Sequence, residues 1–155
     1  MQSEQIAEVL GSAAETVLET MFFTMAEGEA EPAFPPETNL MRTAIAFSGE
    51  WSGTFEMQTP FSCARTIAES FVGADELEEM SADKVGEVMG ELANMVCGST
   101  LSQLANDKIF DLGAPRQLRS GDPMIPVAVD AVTASRGLNL GEGVVAFAMA
   151  IEAIR

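Results

Sequence analysis

The segment between Ser81 and Ala105 constrains the fold of this chain most, because its apolar residues recur at the spacing of one helix face. Ser81 is a suitable N-cap residue, and Asp83 places a negative charge in the first turn, where the helix dipole favours it. The face predicted to be buried carries Val85, Val88, Met89, Leu92, Ala93 and Val96. We therefore expect a long helix that packs on a sheet.

The first third of the chain predicts another long helix and a hairpin. Residues 3–26 have an amphipathic helical spacing, and the proline-rich stretch 27–38 predicts a loop. Two strand-like runs follow at 39–49 and 51–58. We expect them to form a β-hairpin whose turn lies near Gly49 and Glu50.

The remaining segments complete the predicted order α-β-β-α-α-β-β-β. Thr59 and Pro60 predict the N-cap and the first residue of a short helix that ends near residue 72. Strands are expected at 114–119, 124–134 and 143–154, with a glycine-rich turn, SRGLNLGEG, between the last two. The predicted fold class is therefore α/β (α+β) in one domain, residues 1–155.

Each long helix is followed by strands, which suggests an internal duplication. The sequence trace of this duplication is short, since only LETM at 18–21 can be aligned with LANM at 92–95. In that alignment Val17 corresponds to Glu91, and Thr20 corresponds to Asn94.

Composition argues against several classes of function. The chain has 24 acidic and 8 basic residues, for a net charge of −16. No cluster of Lys or Arg could neutralise phosphates, so we expect no nucleic-acid binding, and an anionic membrane surface would repel the chain. There is no histidine, which removes the usual general base near neutral pH and the commonest zinc ligand. We expect no metal site and no conventional hydrolase, NTPase or dehydrogenase chemistry.

A cytoplasmic location is expected. Cys63 and Cys97 fall within helical patterns and are predicted to be buried free thiols, as in a reducing compartment. The first residues lack the basic and apolar regions of a signal peptide. The longest apolar run, at 143–151, is too short to span a bilayer, so no membrane insertion is expected.

The exposed face of the helix that begins near Ser81 suggests a site. It carries Lys84, Glu87, Glu91, Asn94, Gly98 and Ser102. Gly98 costs about 1 kcal/mol of helix propensity relative to Ala, which predicts close approach of another backbone, from a neighbouring strand or a bound protein. Glu91 and Asn94 form an E-x-x-N pattern, although the same pattern also occurs on ordinary solvated helix faces.

The stretch EVMGELANMVCGSTLSQLA resembles the signature helix of the CheC/CheX chemotaxis phosphatases. The family pattern is Asp or Ser, three residues, Glu, two residues, Asn, and a Pro about twenty residues later. Glu91 and Asn94 match this pattern, G-E-L-x-N-M is shared with the CheX branch, and twenty residues separate Asn94 from Pro115. Glu87 departs from it, because Asp or Ser is usual at that position. In length and element order the chain is similar to stand-alone CheX-type proteins.

This resemblance implies two long helices packed on a largely antiparallel sheet with pseudo-twofold symmetry. It also implies an activity, dephosphorylation of the aspartyl phosphate of a CheY-type response regulator that itself holds Mg²⁺. Asn94 would orient the attacking water, and Glu91 would pair with the active-site lysine of the regulator. The rest of the partner-contacting face would be formed by Glu87, Gly98, Lys84 and Ser102.

The resemblance further implies one site per chain, because Val17 and Thr20 cannot repeat the roles of Glu91 and Asn94. CheX relatives pair through their sheets, so a homodimer is expected, with a monomer as the alternative. Two other functions stay open at this point. A non-catalytic module of the same fold could dock a response regulator or a flagellar component, an alternative that Glu87 favours. The other open function is that of a scaffold domain in which the E-L-A-N sequence occurs by chance.

Overall fold

The computed structural model describes residues 2–73, 80–119, 121–122 and 130–152. The helices are α1 (Ser3–Met21), α2 (Phe61–Val72) and α3 (Ala82–Leu104). The strands are β1 (Gly28–Ala30), β2 (Leu40–Gly49), β3 (Ser52–Pro60), β4 (Phe110–Leu112), β5 (Arg116–Leu118), β6 (Val132–Asn139) and β7 (Val144–Glu152). The predicted element order is confirmed, with the short strands β1 and β4 added to it.

The described strands form one antiparallel sheet in the order β1-β6-β7-β3-β2-β4. Strand β5 also pairs with β2, at residues 42–44, whereas β4 pairs with residues 47–49. The helices α1 and α3 contact each other, and they pack on β6 and β2, respectively. Leu10, Leu92, Phe55 and Phe147 are fully buried between the helices and the sheet. This arrangement confirms the predicted fold class of two long helices on an antiparallel sheet.

The hairpin of β2 and β3 and the bounds of α3 agree with the sequence predictions. Gly49 and Glu50 lie at the hairpin turn, with Phe47 paired with Gly53 just before it. Ser81 is the N-cap of α3, and its side chain accepts a hydrogen bond from the backbone N–H of Lys84 at 3.1 Å. Both cysteines are free and buried, as expected.

The predicted start of α2 is wrong. Thr59 belongs to β3, where it pairs with Met41 of β2, and the N-cap position is occupied by Pro60 without a side-chain cap. The Thr59 hydroxyl is fully buried and donates a hydrogen bond to the backbone carbonyl of Val144 at 2.9 Å. It therefore joins two strands instead of capping a helix.

The predicted turn over 135–143 is also wrong, because most of this segment is strand. Residues up to Asn139 belong to β6, and only 140–143 connect β6 to β7. A Cβ at Gly137 would lie 2.4 Å from the carbonyl oxygen of Ala30, so this glycine allows β1 to approach β6. The predicted strand at 124–134 falls mostly on 123–129, outside the described residues.

The prediction that 27–38 is entirely a loop is wrong at β1, which pairs with β6. The first helix also ends five residues earlier than predicted, at Met21. Phe23 adopts a left-handed backbone conformation, with φ of 53°, which an α-helix cannot accommodate.

Candidate functional site

The two faces of α3 are those that the sequence predicted. The residues predicted to be buried are all 4% exposed or less: Val85, Val88, Met89, Leu92, Ala93 and Val96. On the opposite face Lys84, Glu87, Glu91, Asn94 and Ser102 are exposed, and Gly98 is half-buried. The predicted site residues therefore lie together along one surface of the helix.

Glu91 and Asn94 are one turn apart on this exposed stripe. Within the described part of the chain, neither side chain makes a hydrogen bond or an ion pair. A carboxylate and a carboxamide without internal partners retain their full capacity to bind an external group. Glu91 can accept hydrogen bonds or pair with a cation, while Asn94 can donate and accept at the same time.

Glu87 differs from Glu91 because it has a partner on its own helix. Its carboxylate lies 3.6 Å from the Lys84 ammonium, with side-chain exposures of 72% and 54%. An exposed pair at this spacing contributes only a few tenths of a kcal/mol, since water screens both charges. The contact is therefore weak enough for a partner to replace it.

Among the described residues no strand backbone closely approaches Gly98, and the alternative that the sequence predicted, approach of a bound protein, stays a prediction. Among the described residues, only Leu112 Cδ2 comes near a Cβ placed on Gly98, at an ordinary 3.8 Å. A Cβ on Gly90 would instead lie 3.2 Å from the Cβ of Pro115. The sequence signal that was missed is the spacing Gly86-x-x-x-Gly90, which places both glycines on the side of α3 that faces residues 115–117.

Helix α1 is the structural counterpart of α3, but not in the register predicted from LETM and LANM. When Ser3 is aligned with Ala82, every buried position of α1 falls on a buried position of α3. Val17 cannot correspond to Glu91, because Val17 is in the core and Glu91 is exposed. The positions that match Glu91 and Asn94 are Ser12 and Glu15, and both are exposed.

The cysteines lie outside this surface and are poor nucleophiles. Burial raises the pKa of the Cys97 thiol to about 12. Burial is also the largest cause of the raised pKa of Cys63, although a hydrogen bond with Thr59 acts in the opposite direction. Among the described residues no cluster of acidic residues and cysteines could hold a metal ion, and no helix there is both long and apolar enough to cross a membrane.

The fold and the exposed stripe together define a class of protein: an α/β domain with an antiparallel sheet, whose long helix exposes a carboxylate and a carboxamide that have no partner in the described part of the chain. A family model described as chemotaxis phosphatase CheX matches residues 41–134, which is more than half of the chain. The chain belongs to the CheX family.

Solved structures agree with this assignment. CheX from Vibrio vulnificus is 18% identical, with a TM-score of 0.76 over 96% of this chain and 97% of that chain. A putative chemotaxis protein from Desulfovibrio vulgaris Hildenborough is 19% identical, with a TM-score of 0.75 over 98% and 100%. The CheX-CheY-BeF3-Mg+2 complex from Borrelia burgdorferi matches at 16% identity, with a TM-score of 0.73 over 94% and 97%. At these identities the likeness shows the fold. No curated protein matches the sequence significantly.

Proposed function

We propose that this protein is a phosphatase that removes the aspartyl phosphate of a CheY-type response regulator. The observation that carries the proposal is the presence of Glu91 and Asn94, one turn apart and without a partner among the described residues, on an exposed stripe of the CheX-family helix. A related CheX has been solved together with CheY, BeF3 and Mg+2. We extend the proposal to the whole chain as one CheX-like domain in the cytoplasm, where response regulators act.

The chemistry suits a chain without histidine. An acyl phosphate is already activated, so the phosphatase needs only to place a water in line with the bond that breaks. The water oxygen attacks phosphorus, and the bond between phosphorus and the aspartate oxygen breaks with its electron pair left on the carboxylate. Asn94 holds the water by accepting and donating hydrogen bonds without titrating. The products are inorganic phosphate and the free aspartate of the regulator.

Glu91 has a different role in this proposal. Its carboxylate pairs with the active-site lysine of the regulator and so fixes the register of the two proteins. The Mg²⁺ ion belongs to the regulator. Around this centre Lys84, Glu87, Gly98 and Ser102 contact the regulator surface, and the net charge of −16 favours a basic partner surface there.

A homodimer through the sheet is part of the proposal. On the face of the sheet turned away from α1 and α3, small side chains lie beside the buried Arg42–Glu56 pair, and among them Ala46, Thr133, Ser135 and Ala148 are exposed. Small side chains allow two sheets to approach closely. The Ser135→Arg variant should sediment as a monomer if this face forms the dimer, and a variant that still sediments as a dimer would exclude this face.

The test of the function is to mix the protein with a phosphorylated CheY-type regulator and to follow phosphate release. Faster decay than that of the regulator alone supports the phosphatase. Binding to the regulator without faster decay supports the second candidate function, a docking module. This alternative is favoured by Glu87, which stands where Asp or Ser is usual and pairs with Lys84. If the protein neither binds a CheY-type regulator nor accelerates its dephosphorylation, both candidate functions are overturned.

A further inference from the structure

We propose that Gln117 is a positioning residue of the site, because it fixes the placement of α3 on the sheet. This inference rests on the proposed function, since the geometry that it concerns is that of Glu91 and Asn94. Gln117 lies in β5, on a different element from every residue of the exposed stripe.

The Gln117 side chain joins three elements. Its Nε2 donates a hydrogen bond to the backbone carbonyl of Gly86 in α3 at 3.2 Å. Its Oε1 accepts a hydrogen bond from the hydroxyl of Thr43, a fully buried residue of β2, also at 3.2 Å. A helix carbonyl has a second lone pair, so it can accept this bond in addition to the one from its own helix. The contact therefore holds the first half of α3 without disturbing it.

Packing beside this contact is ordinary at Gly86 and tight at Gly90. A Cβ on Gly86 would be 3.6 Å from Gln117 Cγ, and a Cβ on Gly90 would be 3.2 Å from Pro115 Cβ. The two glycines directly precede Glu87 and Glu91 in the sequence. A shift of the helix at the glycines consequently moves the exposed stripe by a similar distance. A misplacement of about 1 Å at a reacting centre can lower a rate on the order of 10²-fold.

Helix α1 repeats the same contact without the functional stripe. The guanidinium of Arg136 donates through Nε to the carbonyl of Ala7 at 3.3 Å, and its Cγ lies 3.0 Å from the position of a Cβ on Gly11. In the register set by the helix starts, Ala7 matches Gly86 and Gly11 matches Gly90. Arg136 is therefore a suitable control for Gln117, since it donates to the corresponding carbonyl of the other long helix. It also pairs with Glu4 at 3.5 Å and with Glu29 at 2.6 Å, so its replacement perturbs α1 at least as much as the replacement of Gln117 perturbs α3.

The experiment compares Gln117→Met with Arg136→Met. Methionine keeps an unbranched aliphatic side chain that can pack against the helix glycine, but it removes the donor to the helix carbonyl. Both variants are measured with a phosphorylated CheY-type regulator at a temperature where each is fully folded. Hydrogen exchange of the amides at residues 87–94 is followed in parallel in the free protein. A third variant, Gln117→Glu, keeps the acceptor for Thr43 but replaces the donor to Gly86 by a carboxylate oxygen, which is repelled by the Gly86 carbonyl.

We expect the dephosphorylation rate constant of Gln117→Met to fall about fivefold or more, with exchange at 87–94 accelerated. Arg136→Met should stay within about twofold of the wild-type rate and leave exchange at 87–94 unchanged, and Gln117→Glu should follow Gln117→Met. The positioning role would be overturned if the dephosphorylation rate constant fell equally in both Met variants. It would also be overturned if Gln117→Met kept the wild-type rate constant and the wild-type hydrogen exchange. A wild-type protein that gives no acceleration overturns the proposed function instead, and the exchange comparison then still decides whether Gln117 holds α3.

Discussion

Pro115 packs directly on Gly90, with 3.2 Å between the Pro115 Cβ and the position that a Cβ on Gly90 would take. The residue after Gly90 is Glu91, so the proline contacts the helix beside the carboxylate. The distance along the chain between the E-x-x-N pattern and the proline thus has a structural meaning here. The segment that follows α3 must return to the same helix turn that carries Glu91.

This contact predicts different effects for two glycine substitutions on one helix. Gly98→Ala should raise the free energy of unfolding by about 0.5–1 kcal/mol, because Ala is the better helix former and Leu112 lies at an ordinary 3.8 Å. Gly90→Ala should raise the free energy of unfolding by less than this, or lower it, because Pro115 must move by a few tenths of an ångström. Urea unfolding of both variants measures the difference. An equal gain in the two would show that the Gly90 contact is not restrictive.

A second prediction concerns the number of active faces. Ser12 and Glu15 occupy on α1 the positions of Glu91 and Asn94, but with a hydroxyl for the carboxylate and a carboxylate for the carboxamide. Glu15→Gln and Ser12→Ala should therefore leave the dephosphorylation rate within about twofold of wild type, as expected for distant exposed sites. A tenfold loss in either folded variant would mean that α1 takes part in the reaction.

Much of the site could be predicted from the sequence, because it depends on the periodicity of a single helix. Val85 to Val96 define the buried face, and that assignment fixes the exposure of Glu91 and Asn94 without knowledge of the sheet. The failures have a different origin. Thr59 was predicted as a cap because its hydroxyl could serve a helix, but strand pairing brings it next to the Val144 carbonyl. Gly137 was predicted in a turn, but it permits the approach of Ala30. Both depend on contacts between segments that are distant in sequence.

The role of Gln117 could not be predicted for the same reason. Nothing in a local pattern places residue 117 against the carbonyl of Gly86, because the contact requires β5 to pair with β2 beside α3. The register predicted for the internal duplication was also wrong, because two identical letters out of four, in LETM and LANM, outweighed the burial pattern. Val17 already belongs to the apolar face that the spacing of residues 3–26 predicts, and it is in the core.

A third prediction is a pH dependence of stability that arises from Cys97. Its pKa is raised from 9.0 to about 12 in the folded protein, so the folded state binds this proton more tightly than the unfolded state. Stability is then fully retained below pH 9 and falls as pH rises from about 9 towards 12. At pH 10.5 the loss from this group should be about 2 kcal/mol. Urea unfolding of wild type and Cys97→Ala between pH 8 and 10.5 isolates the effect, and parallel curves for the two would contradict it.

A fourth prediction concerns the pH dependence of the reaction. Since the chain has no histidine, the dephosphorylation rate should show no titration between about pH 6 and 8 that arises from this protein. The measurement is a pH–rate profile with two different CheY-type regulators. A step near neutral pH that stays the same with both regulators would count against a water-orienting Asn94.

The last prediction separates the two residues of the site. Glu91 is proposed to pair with a regulator lysine in the ground state, so Glu91→Ala should weaken binding as well as turnover. Removing one partner of a charge pair that is buried in an interface costs about 2–5 kcal/mol. Asn94 is proposed to act on the water, and its contribution is largest in the transition state. Asn94→Ala should therefore lower the rate by roughly 10²-fold or more and leave affinity for a BeF3-bound regulator nearly unchanged.

The structure makes this comparison clean, because both side chains are exposed and neither has a partner within the described part of the chain. Both alanine variants should unfold at the wild-type temperature within about 2 °C, since surface changes of this kind alter stability by less than about 0.5 kcal/mol. Affinity, rate and thermal unfolding are measured for each variant beside wild type. If Asn94→Ala is folded, binds normally and still dephosphorylates at the wild-type rate, the water-orienting mechanism is excluded. If Glu91→Ala binds as tightly as wild type, the lysine pairing is excluded, whatever its turnover.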